Sequence, residues 1–153
     1  MLKKMMKRLK KEEKGFTLIE LLAVIVILAV IAVIAVPLIG KIIDNTKKDA
    51  DVATAQQIYD AAKLYVTGEL AGDFNGSANT GLTVYLSDLI SKKYLANNTA
   101  LPSSKNNLVS GSSTASATEV VFDTNGDLTS VKLSDGTTTK TIDANELKLG
   151  KGE

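Results

Sequence analysis

The chain has 153 residues, 18 of them basic (Lys or Arg) and 17 acidic, with 5% aromatics and neither Cys nor His. Those absences exclude disulfide staples, thiolate metal sites, and histidine as a general base or metal ligand. The formal charge of +1 conceals an asymmetry: residues 1–15 hold seven basic side chains against Glu12 and Glu13, leaving a formal −4 on the remainder.

The first element in chain order is that basic leader, built on Lys3, Lys4, Lys7, Arg8, Lys10, Lys11 and Lys14. It runs through Gly15-Phe16-Thr17-Leu18-Ile19-Glu20 into an apolar stretch, of which residues 21–40 carry no formal charge. Twenty helical residues span about 30 Å, the thickness of a bilayer's hydrocarbon core. The basic flank keeps its end in the cytoplasm and the rest outside. A secretory signal peptide has a shorter apolar region ending at a small-x-small site, whereas this run passes directly into a charged helix. A plain single-pass anchor accounts for the length and the lysines. It treats Glu20 only as a carboxylate snorkelling to the interface, and it has no use for the Gly15-Phe16 junction.

Basic leader, Gly-Phe junction, Thr-Leu-x-Glu and unbroken apolar helix together resemble the class III leader of type IV pilins and pseudopilins. The resemblance implies cleavage between Gly15 and Phe16 by a prepilin peptidase, N-methylation of Phe16, and an assembly role for Glu20. It also implies a partner in the membrane assembly platform, and melting of the helix around Pro37 and Gly40. A mild membrane-helix kink is the plainer account of Pro37. Glycine at the cut site presents no side chain to a protease. Cleavage frees an α-amine with a pKa near about 8, largely cationic at neutral pH. Glu20 of one copy can then pair with the Phe16 amine of a neighbour. The resemblance rests on the leader and apolar run; the rest agrees with that family only in architecture.

The helix continues past the lipid boundary. Ala55, Ile58, Tyr59, Ala62, Tyr65 and Val66 recur at spacings of three and four, an amphipathic stripe suited to carrying a small sheet. Thr67-Gly68 and Gly72 mark its stop. The expected organisation is a leader over 1–15 and a long helix over 16–68, with 16–40 as membrane span and filament core. A connecting region follows over 69–118, then a β-meander with a C-terminal tail over 119–153.

Within the connecting region the spacing predicts a short helix over 87–95 capped at Ser87, and Leu108-Val109 as a brief first strand. Further on, 119–122, 128–133 and 137–142 read as three antiparallel strands, joined by turns at Asn125-Gly126 and Asp135-Gly136. Leu147 and Leu149 are candidates for an added edge. Alternation puts Thr129, Val131 and Leu133 on the face toward the helix. The fold class is α+β: a long N-terminal helix packed by its second half on a small antiparallel sheet.

Asp123-x-Asn125-x-Asp127 has the spacing that opens a calcium loop, but Ser134 occupies the position of the closing glutamate. A tight turn is the favoured account. No phosphate loop, nucleophile–base pair or metal-ligand cluster stands out, and no basic patch marks a nucleic-acid site. The chain reads as a non-enzyme without cofactor. The expectation is a major pilin that starts as a single-pass membrane protein and polymerises with itself into an extracellular filament for adhesion, motility or aggregation. The alternatives are a pseudopilin of a secretion or DNA-uptake machine, and a membrane-anchored binding module that never polymerises.

Overall fold

A computed structural model describes residues 17–76, 80–112 and 116–152. By internal contacts the chain divides into two units, Met1–Ile42 and Ile43–Glu153. One helix, α1 (Leu18–Glu69, 52 residues), contributes to both.

In the first unit the described side chains of α1 are almost all solvent-facing; Ile27 is 59% and Val33 76% exposed. Val and Ile are mediocre helix formers in water. In lipid a helix is the conformation in which each backbone group finds a partner within its own segment. The helix is long and apolar enough to cross a membrane. It is assigned as unbroken through Pro37 and Gly40.

The second unit is the α+β body. The part of α1 that belongs to it buries Asp51, Val52, Ala55, Ile58, Ala61, Ala62 and Val66; of the stripe read in the sequence, Ala55, Ile58, Ala62 and Val66 are buried and Tyr59 and Tyr65 half-buried. Against it lies a four-stranded antiparallel meander in the order β1-β2-β3-β4. The strands are β1 (Leu82–Tyr85), β2 (Glu119–Phe122), β3 (Leu128–Ser134) and β4 (Thr139–Asp143). Val84, Val120, Phe122, Val131, Leu133 and Ile142 form the inner face and are at most 1% exposed. A buried Leu or Ile of this kind contributes about 1.5–3 kcal/mol over its exposed state.

Five details depart from the sequence expectation. The sheet has four strands rather than three: Leu82–Tyr85 pairs with β2, with Val84 opposite Val120. Strand β1 runs directly into α2 (Leu86–Ser91), which is capped at Tyr85 rather than Ser87 and ends short of the expected Leu95. The Asp88 carboxylate accepts the Tyr85 N–H there, so a residue three positions into the helix does the capping.

Leu147 and Leu149 form no edge strand; they lie in α3 (Ala144–Leu149). Glu146 reaches back to the Asp143 N–H, and Gly150, at φ +64°, closes the helix. Leu108 is buried, but Leu108-Val109 makes no ladder. Val109 instead donates its N–H to the Ser134 carbonyl and accepts that of Thr118. The Thr118 hydroxyl accepts from the Ser134 N–H and donates to its carbonyl, completing that end of β3.

Finally, Thr129 is exposed and Leu128 takes its expected place on the core side. The register shifts so that Val121 pairs with Ser130 and Phe122 with Leu128, skipping Thr129. An extra residue of this kind exchanges the faces on either side of it.

Candidate assembly site

Leu18 to Ile42 present an apolar surface in which Glu20 is the first charge among the described residues. Its geometry follows from the helix start. The first turn of a helix has N–H groups with no partner inside it, and Thr17 stands just before that turn. The Glu20 N–H donates to the Thr17 hydroxyl at 3.2 Å. Glu20 Oε2 accepts the Thr17 N–H at 2.8 Å and the Thr17 hydroxyl at 2.9 Å. This is a reciprocal capping box, with the carboxylate held at the positive end of the helix dipole. Both bonds from Thr17 go to the same oxygen, Oε2. Thr17 was missed as a site residue, although Thr-x-x-Glu ahead of an apolar run is the sequence signature of such a box.

Gly15 and Phe16, the expected cleavage and methylation positions, lie outside the described residues. Pro37 and Gly40 lie inside the continuous helix, and nothing stands within 4 Å of where a Gly40 side chain would begin. Among the described residues no packing contact therefore requires glycine there.

The calcium-spaced residues form a turn between β2 and β3. Asp123 Oδ1 accepts the N–H groups of Asn125 at 2.9 Å and Asp127 at 2.8 Å, and the Asn125 amide reaches Oδ2 at 3.3 Å. These bonds, the Asp127 N–H foremost, hold the Asp123 carboxyl below its usual range. The carboxylate is spent on the turn's own donors. Among the described residues no group of three or more acidic side chains is placed to hold a metal ion.

A second residue that the sequence does not single out is Asp51, in the charged stretch that follows Lys41. It is 2% exposed, the one buried carboxylate among the described residues. Oδ1 accepts the Ser103 N–H at 3.0 Å, and Oδ2 lies 3.7 Å from Lys140 Nζ. Lys140 sits opposite Leu133 in β4 and so points inward from an edge strand. Asp51 lies four residues before Ala55 in the buried stripe, the spacing that gives its burial away.

Residues 10–36 match a family model described as the prokaryotic N-terminal methylation motif. The matched segment includes Gly15, Phe16 and Glu20, and supports a type IV pilin-like family for this chain. Together with the apolar helix, it points to a membrane-anchored and structural rather than catalytic protein. No curated protein and no solved structure matches the chain.

Proposed function

We propose that the chain is a type IV pilin, a structural subunit that leaves the membrane and polymerises through α1 into a surface filament. The observation that carries this reading is Glu20, a carboxylate on an otherwise apolar helix surface, held at the helix start by Thr17 through Oε2. Cleavage after Gly15 creates a cationic amine on Phe16 four residues away. Inside a bundle of parallel helices, Glu20 of one copy meets that amine on the next. Leaving either charge buried and unpaired costs about 3–5 kcal/mol, so the pair selects the stagger between subunits. Prepilin peptidase and a membrane assembly platform are the partners this role requires.

Shearing intact cells that express the chain tests the reading. Long fibres containing the subunit support a pilin. Their absence under expressing conditions overturns the long filament in favour of the short one made by a pseudopilin.

A further inference from the structure

The meander does not close on itself, so it ends in two edge strands, β1 and β4. Strand β1 is four residues long and stops where α2 begins. Strand β4 pairs with β3, and among the described residues no other backbone group bonds to it. Thr139, Thr141 and Asp143 along it are exposed. Such a strand offers a row of unpaired N–H and C=O groups to the same strand of another copy.

One residue stands against that pairing. Lys140 lies opposite Leu133 and Ile142 opposite Val131, so both belong to the inner face of the sheet. Among the described residues Lys140 is the one charged side chain on that face. Its amine is 3.7 Å from Asp51 Oδ2, with 23% of its side chain exposed against 2% for Asp51. That separation is longer than a hydrogen bond. Stability alone gives no reason for the pair, because apolar residues of the same volume commonly match or better a buried ion pair.

We propose that Lys140 closes the β4 edge to a second copy of this chain. Its ammonium reaches water past the open side of β4, as an inward-pointing lysine on an edge strand can. A second β4 laid antiparallel along the first covers that route. The ammonium is then left with Asp51, whose other oxygen is tied to the Ser103 N–H and so does not follow it. Two-fold pairing brings the lysines of both copies to the junction, so the penalty falls on each. Copies crowded in one membrane, or side by side in a filament, meet without fusing their sheets. The inference concerns the body alone and holds whether or not filaments form.

The chain has no cysteine, so one introduced thiol reports without background. Thr141 is the middle residue of β4 and exposed. Antiparallel pairing of two β4 strands about their centres sets the two 141 positions directly opposite, close enough for a disulfide. The full chain carrying Thr141→Cys, in detergent under mild oxidation, is expected to stay monomeric on a non-reducing gel. Adding Asp51→Asn with Lys140→Met, which removes the charge without stranding its partner, should raise the disulfide dimer at least about tenfold. Lys140→Arg, which keeps the charge, should leave it monomeric. Leu64→Cys in the Asn/Met background measures dimers formed by collision. Equal dimer with and without Lys140, or no more dimer than Leu64→Cys gives, overturns the proposal. If the Asn/Met chain loses its cooperative melt, Lys140→Gln with Asp51 retained makes the same comparison.

Discussion

The buried carboxylate of Asp51 accepts the backbone N–H of Ser103 across 52 residues of sequence, at 3.0 Å. With Lys140 on its other oxygen, it ties the helix, the 102–104 turn and the edge strand at one point. Asp51→Ala leaves the Ser103 N–H and the Lys140 amine without their partner. The expected loss is about 1–3 kcal/mol, with a smaller loss for Asp51→Asn, which keeps an acceptor for Ser103. Urea unfolding of the detergent-solubilised chain, followed by tyrosine fluorescence, measures both. Equal losses would contradict a separate contribution from Lys140.

The capping box separates two duties of Glu20. Thr17→Ala removes the hydroxyl cap and is expected to weaken the first turn by about 0.5–2 kcal/mol, seen as faster amide exchange there. Glu20→Gln keeps a hydrogen-bonding oxygen but carries no charge. It is expected to be processed normally and to assemble poorly. Wild-type filament yield from Glu20→Gln would remove the charge from the assembly argument.

Gly126 turns the chain between β2 and β3 at φ +86°, and a Cβ there would stand 2.8 Å from the Phe74 ring. Phe74 in turn packs on Phe122, ring centre to ring centre at 5.3 Å. Gly126→Ala meets both backbone strain and a collision with a packed aromatic, for an expected cost of about 2–5 kcal/mol. Gly136, at φ +87°, would meet only Val109 Cγ2 at 3.4 Å. Its alanine variant isolates the backbone share, about 1–2 kcal/mol. Thermal melts of the two variants should rank in that order.

Two turn carboxylates make the fold acid-sensitive. Asp135 is held well below the usual carboxylate range by the Ser104 hydroxyl, the N–H groups of Thr138 and Thr137, and the Asn106 amide. Asp123 is lowered in the same direction by its turn. A folded-state pKa below the unfolded one means that the unfolded chain binds more protons. The associated stability is complete above pH about 4 and is lost as pH falls through the folded-state values. Melting temperature should therefore decline on the acid side of about pH 4. Asp135→Asn should start lower at neutral pH and decline less steeply; an unchanged acid slope would argue against this carboxylate as a source.

What the sequence made legible follows how local each signal is. Both hairpin turns were readable because Asn-Gly and Asp-Gly place glycine where φ is positive. The stripe of α1 was readable because its spacing repeats over about three turns. Strand β1 was hidden because no turn residue separates it from α2: Tyr85 ends the strand and starts the helix. The terminal helix was legible in Asp143-x-x-Glu146 and Gly150, but the alternate leucines at 147 and 149 suggested a strand. The exchange of Thr129 for Leu128 depends on how two strands slip past each other, which neither strand's own sequence records. At the candidate assembly site the residue types pointed to Glu20. Its partner Thr17 lay in the same motif, read only for its family resemblance.

Each strand of the sheet pairs with its immediate neighbour in sequence, so the meander closes through short loops and one longer excursion, between β1 and β2. Its inner face is completed by α1, which leaves the ribosome before any strand does. The stripe that the sheet covers therefore exists before the strands do, and the sheet assembles on a prepared template. Synthesis and folding then share one order, in which each strand finds its hydrophobic partner already made.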